Sequence, residues 1–334
     1  MKRRRRLRTT VIALAAAATI AAAPHAPASA YTATETCQFQ DARIVESSGL
    51  AVVTGNDGAI WTHNDSGDQG RVFAIRTSDC RVMTMVRLRT ANGRALKPTD
   101  IEDMAKGPDG NGGHALWLGD IGNNNNDPTQ PMFVYKLAEP AVGAALNQVL
   151  ELPQTQWQAY QLQYPDGGHD SETLLAHPVS GRLYVVTKSY TGVSHVYAAP
   201  PLAELSTTDV NVLTRVADIV IPLGGTTATT DYVIPVVGAL STTGGDISPD
   251  GRRVVIRTYT DAYEWAIGGT TEADFVAAFS RVIAPSHIPL PYSFQGEAIG
   301  YTSDSRSLYV TIESAFADQF GRPAQPGRVH RLDP

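Results

Sequence analysis

The residues of this sequence best suited to chemistry are acidic, and they recur in short polar runs set far apart. Glu46-Ser47-Ser48-Gly49, Asp100-Ile101-Glu102-Asp103, Asp170-Ser171-Glu172, Gly245-Asp246 and Gln295-Gly296-Glu297 each open an apolar run. Runs of the same kind close on His63-Asn64-Asp65-Ser66, Gly119-Asp120-Ile121-Gly122-Asn123, Thr187-Lys188, Arg257-Thr258-Tyr259 and Glu313-Ser314. Carboxylates gathered in one place cannot all ionise without a bound cation, a basic neighbour or raised pKa values. Asp, Asn and carbonyl oxygens are hard ligands of the kind Ca2+ takes, roughly six to eight per ion. Asn64, Asp65, Asp100, Asp120, Asn123 and Asp170 are therefore candidate ligands for Ca2+ or another divalent cation. Glu102, Glu172 and Glu297 are candidate general acids and bases. Lys188 and Arg257 are candidate anchors for an anionic group of a substrate.

Each assignment has a plainer competitor. Carboxylates at strand starts can cap backbone amides and sit in water, and Asn or Asp beside Gly can bond its own backbone in an Asx turn; for Asn124 to Asn126 the turn is the better reading. Lys188 and Arg257 can simply neutralise the acids around them. His63 and His169 lack zinc-site spacing and read as turn or packing residues, and Tyr259 and Tyr263 as packing between structural units. No Gly-x-Ser-x-Gly elbow nominates a serine nucleophile, and no nucleotide-type phosphate loop is present.

What must bring such distant residues together is a repeating β unit. Gly55-Asn56-Asp57-Gly58, Gly107-Pro108-Asp109-Gly110, His177-Pro178-Val179-Ser180-Gly181, Ser248-Pro249-Asp250-Gly251 and Thr302-Ser303-Asp304-Ser305 are turns, each followed by a β-branched or aromatic run. With Gly58, Gly110, Gly181, Gly251 and Ser305 as markers, the units repeat every 52 to 71 residues. Third and fourth runs follow, clearest in Arg71–Ile75 and Val82–Leu88. The pattern predicts an all-β, five-bladed propeller of four antiparallel strands per blade, in one domain over residues 31–334. The last unit is a strand short, and Ala42–Val45 is expected to supply an N-terminal strand that closes the ring. In such a ring, first-strand starts and second-strand ends share one face, so the acids converge on one mouth. The one amphipathic helical stretch is Thr271–Phe279.

Residues 1–30 read as a removable export signal: Lys2 to Arg8 is basic, Val11 to Ala23 apolar, and Ala28-Ser29-Ala30 a small-residue cleavage pattern. The apolar run is shorter than the roughly 20 residues that span a bilayer. A secreted, extracellular protein without a membrane anchor, and a monomer, is expected. The net charge of −6 includes six basic residues of that segment; the remainder carries −12, which repels nucleic acid. Cys37 and Cys80 then stand in an oxidising compartment and are expected to form a disulfide.

Trp61-Thr62-His63-Asn64-Asp65-Ser66-Gly67-Asp68, Leu118-Gly119-Asp120-Ile121-Gly122-Asn123, Asp170-Ser171-Glu172-Thr173 and Gln295-Gly296-Glu297-Ala298 resemble segments of secreted actinobacterial β-propeller proteins of uncertain function. Through the propeller pattern and acidic rim, the chain is also loosely similar to calcium-dependent propeller phytases and phytase-like esterase domains. That resemblance implies a calcium-binding propeller, with hydrolysis of phosphoesters or related esters as its activity. Two alternatives stand beside it: a glycoside hydrolase using paired carboxylates at the channel mouth, and a non-catalytic propeller that binds an extracellular glycan or protein. The partner is in each case a small-molecule or polymeric extracellular substrate or ligand.

Overall fold

The computed structural model describes residues 31–222, 237–280, 282, 284–291, 295–314 and 326–334. The export signal read over residues 1–30 lies outside them. The marked turns join the first strand of each unit to the second. Gly110, Gly181, Gly251 and Ser305 adopt positive φ; in the first unit that residue is Gly55 (φ 71°) rather than Gly58. Asn56 explains the change, because its side chain accepts the Gly58 amide hydrogen and fixes the turn one step earlier.

Five sheets result. The innermost strands are Ser47–Val53, Ile101–Pro108, Ser171–Ala176, Thr242–Ile247 and Ile299–Tyr301. Each packs against the next, and the last packs against the first, which makes a ring of five blades. Second strands return antiparallel as Asn56–Asn64, His114–Asp120, Leu183–Thr187, Arg253–Thr258 and Leu308–Ile312. Blades 3 and 4 have the expected four strands, but blades 1 and 2 have five. Gln148–Leu152 adds in parallel to Val82–Leu88, and Asn211–Val212 adds in parallel to Trp157–Gln163. In both cases the chain leaves a blade's third strand, visits the outer edge of the preceding blade, and returns as the fourth strand.

The outer strand of the last blade is Thr32–Gln38, antiparallel to Arg328–Asp333. Ala42–Val45, expected to fill that place, forms a turn instead. The Asp41 side chain accepts the Arg43 amide hydrogen, and its carbonyl accepts that of Ile44, so the backbone there is already paired locally. Cys37 on the Thr32–Gln38 strand is bonded to Cys80 in blade 1, with a Cα–Cα distance of 5.5 Å and a sequence separation of 43. A loop of that length gives about 4 kcal/mol of chain-entropy stabilisation. The double substitution Cys37→Ser/Cys80→Ser should lower unfolding free energy by about that amount in urea titrations; an unchanged midpoint would contradict it.

The apolar core lies between blades rather than within one. Trp61 and Val72 of blade 1 meet Met104, Leu116 and Tyr135 of blade 2, and similar clusters fill the other blade interfaces. Polar pins cross the same interfaces. Buried Asp103 accepts the Leu174 amide hydrogen of the next blade, and Asp246 accepts that of Tyr301. Asp246 is the next-to-last residue of Thr242–Ile247, away from the strand start at the mouth. The helix read at Thr271–Phe279 is observed as Glu272–Ala278, begun by a reciprocal cap between Thr271 and Asp274. No helix among the described residues is long and apolar enough to cross a membrane.

Candidate metal centre

Two equivalent positions in the blades build the mouth. The first is a β-bulge in the innermost strand. Pairing slips between Ile101 and Asp103, between Ser171 and Thr173, and between Thr242 and Gly244. Glu102, Glu172 and Thr243 are the extra residues. In blade 5 the same slip lies between the Ala298 and Gln295 carbonyls, which accept the Thr311 and Glu313 amide hydrogens, and Glu297 sits within it. A bulged residue leaves the ladder, and its side chain is re-aimed. Where the bulge carries no acid, a hydroxyl reaches the next blade: Ser48 Oγ donates to the Glu102 carbonyl and Thr243 Oγ1 to that of Gly296.

The second position is the residue just after the second strand. Around the ring it is Asp65, Ile121, Lys188, Tyr259 and Glu313. Together the two positions place Asp65, Glu102, Glu172, Glu297 and Glu313 at one mouth, with Asp100 beside Glu102. Carboxylate oxygens of Asp65, Asp100 and Glu102 lie within 4.8 Å of one another, as do those of Asp65, Glu297 and Glu313. Asp65 belongs to both groups.

Electrostatics reflect this crowding. Burial pushes the Asp65 carboxyl up to about 7, with the Asp100 charge adding to it, and pushes Glu313 up to about 8. Burial also holds Glu102, Glu172 and Glu297 well above the ordinary carboxylate range, helped by the neighbouring acids. Asp100 is raised by burial and by Asp170. Glu297 is 3 % exposed, and its Oε2 has no hydrogen-bond partner; Glu172 Oε2 is likewise buried and unpaired. Buried oxygens left unpaired are rare, because each forgoes its hydration.

Lys188 does not stand free for a substrate. Its ammonium donates to Glu172 Oε1 and to Tyr259 Oη at 3.0 Å, and lies over the Tyr259 ring. Burial works against its charge, but Glu172 outweighs that and keeps it protonated. Tyr259, expected to pack between blades, is thus part of the mouth, while Tyr263 does pack in the core.

Arg257 is displaced further from the expected role. It is 1 % exposed, and Nη1 donates to the Ala298 and Thr311 carbonyls at 2.7 and 2.9 Å. It clamps blade 4 to blade 5 and offers nothing to an anion, although its charge faces Glu297 and Glu313. Arg257→Met removes the guanidinium donor that joins the buried Ala298 and Thr311 carbonyls, together with the charge facing Glu297 and Glu313, and should cost about 3 kcal/mol in chemical denaturation. A loss below about 1 kcal/mol would make the clamp unimportant.

Three of the expected ligands are consumed by the fold. Asn64 accepts the Val45 and Glu46 amide hydrogens and donates to the Arg43 carbonyl and Asp68. Asp120 accepts from the Thr99 and Asp100 amides and from Tyr135 Oη. Asn123 both donates to and accepts from the Asp127 backbone, closing a local loop. Asp170 Oδ1 accepts the Asn123 amide hydrogen at 2.8 Å, and Asp170 stays outside both three-carboxylate groups. His63 is buried, pushed down to about 4 by that burial, and bonds the Asn64 carbonyl. Close approach is built in at Gly122: a Cβ there would lie 2.2 Å from Glu102 Oε1 and 2.4 Å from Asp100 Oδ2.

No family model matches the chain, and no curated protein matches it. Solved structures resemble it distantly. The WD40 repeats of RRP9 align with a TM-score of 0.44 at 11% identity, covering 92% of this chain and 99% of that one. A putative oxidoreductase (glucose dehydrogenase) from Thermus thermophilus gives 0.40 at 14% identity, covering 90% and 99%. The tail fiber of Staphylococcus aureus phage P68 gives 0.43 at 11% identity, covering 91% and 53%. The propeller assignment rests on the strand pairings, and the function on the mouth.

Proposed function

We propose that the channel mouth binds divalent cations, Ca2+ foremost, through two carboxylate groups that share Asp65, and that the protein is an exported, metal-dependent hydrolase of phosphoesters or related esters. The observation that carries this reading is Glu297, a buried carboxylate with an unpaired oxygen in the Asp65–Glu297–Glu313 group. Charge supports it. Six carboxylates (Asp65, Asp100, Glu102, Glu172, Glu297, Glu313) face Lys188 and the buried Arg257, so four negative charges remain for two divalent ions to balance. The groups contain oxygen donors and neither His nor Cys, a set suited to Ca2+ or Mg2+ rather than zinc.

A divalent cation there would polarise a phosphoryl or carbonyl oxygen and balance the charge that develops on it. Glu102 and Glu172, in which burial favours the protonated form, are the groups to take and return a proton. Lys188 holds Glu172 Oε1, which leaves the buried Oε2 unpaired as the acceptor. The disulfide is that of an oxidising compartment, in line with export.

The test is calorimetric Ca2+ titration of the protein over residues 31–334, paired with turnover of aryl phosphates and aryl esters with and without EDTA. Binding with EDTA-sensitive turnover is expected. Binding without turnover on any ester would leave a non-catalytic propeller. Cleavage of aryl glycosides indifferent to EDTA would replace this reading with a glycosidase.

A further inference from the structure

Removing Lys188 and Arg257 as anion anchors raises the question of where this acidic protein concentrates usable positive charge. One place stands out on the outer part of blade 1. Arg71 opens the third strand and Arg87 lies directly opposite it near the end of the fourth. Arg89 follows two residues later, on the same side as Arg87 by strand alternation. With Gln69 and Ala95 these arginines line a cavity of about 180 Å³. The cavity is on the mouth face, because third strands start and fourth strands end there. It is separate from the carboxylate groups, none of whose residues line it.

Like charges placed directly across a strand pair repel and weaken the sheet. The arrangement here is braced rather than cancelled. Asp68 holds Arg71 at 2.5 Å, and Glu151 holds Arg87 at 3.1 Å and Arg89 at 2.5 Å. Arg71 is also fixed over the Phe73 ring, 5.6 Å from its centroid. Two carboxylates thus serve three guanidinium groups and leave one positive charge in excess. Each guanidinium has five N–H donors in a planar fork, and the bonds to Asp68 and Glu151 occupy only part of each fork. What remains is a preorganised set of planar donors around a small polar cavity, the arrangement that recognises a tetrahedral oxyanion by paired hydrogen bonds.

We propose that the cleft between Arg71, Arg87 and Arg89 binds a phosphoryl or sulfuryl oxyanion. The site stands whether or not the mouth holds cations. Its test is therefore run in EDTA, on the protein over residues 31–334, with inorganic phosphate or sodium sulfate titrated against sodium chloride at equal ionic strength. Saturable heat and a raised melting temperature are expected with phosphate and absent with chloride. Sulfate acting as well as phosphate identifies a general oxyanion site. A phosphate response that strengthens between pH 6 and 8, with none to sulfate, identifies a phosphoryl site. Arg87→Gln/Arg89→Gln should weaken binding at least tenfold and leave the melting temperature without phosphate within about 1 °C, since both side chains are partly exposed. Equal responses to chloride and phosphate, or undiminished binding by the double variant, would overturn the proposal. If the double variant proves unstable, Arg89→Gln alone should still weaken binding severalfold.

Discussion

Asp65→Asn is expected to abolish the stabilisation that Ca2+ gives this protein at both carboxylate groups, not at one. Asp65 is the only residue common to the two groups among those described. Its amide replacement keeps the shape but removes a charge from each. An ion at a hundredfold excess over its dissociation constant stabilises the folded state by about 2.7 kcal/mol. Two such ions give about 5 kcal/mol, which for a chain of this length is a melting shift of about 8 °C. Glu313→Gln and Asp100→Asn each touch one group and should each remove about half of that. Differential scanning calorimetry in EDTA and in CaCl2 separates these outcomes. If Asp65→Asn loses no more than Glu313→Gln, the two groups do not share a ligand.

The second large effect is a reversal of pH dependence when Ca2+ is added. Without cation, Glu313 is pushed up to about 8 and Asp65 to about 7, chiefly by burial. In the unfolded chain they return to about 4.3 and 3.9. Between those limits the folded state binds more protons than the unfolded one, so stability falls as pH rises. The contribution is fully present below about pH 4 and is lost progressively up to about pH 8, with a total on the order of 9 kcal/mol for the pair. With Ca2+ the sign changes, because ligands must be deprotonated to bind and affinity climbs with pH. Asp246, also raised to about 7 by desolvation, contributes the same fall in both conditions, and Asp246→Asn should remove that common part alone. Urea midpoints at pH 5 and pH 8, each with EDTA and with CaCl2, should give curves that cross. Parallel curves would mean that the mouth carboxylates do not take up the ion.

Much of the ring could be read from residue order. The five turns are chemically marked, and Gly110, Gly181, Gly251 and Ser305 occupy the left-handed position that their sequence context asks for. The convergence of Glu102, Glu172 and Glu297 followed from the strand starts they sit on. What stayed hidden was how loops spend polar side chains. Asn64, Asp120 and Asn123 look like ligands in sequence, but each is engaged by backbone groups whose course depends on the folded loops. A bulge is a property of register and not of composition, so the equivalence of Glu102, Glu172 and Glu297 emerged only with the pairing. Glu313 and Tyr259 had a usable signal, since each follows its second strand by one residue as Asp65 and Lys188 do. The supernumerary strands at Gln148–Leu152 and Asn211–Val212 had almost none: they are short, pair in parallel, and belong to a blade other than the one that precedes them in sequence.

Gly122 offers a way to read other sequences built on the same plan. A methyl group at that point would occupy the space of two acidic oxygens at once. A designed chain that keeps all six acids but carries a larger residue there must turn the Asp100 and Glu102 carboxylates aside, which disturbs the Asp65–Asp100–Glu102 group and leaves the Asp65–Glu297–Glu313 group as it is. A single letter of the alphabet would then change half of the mouth, where counting Asp and Glu would see no difference.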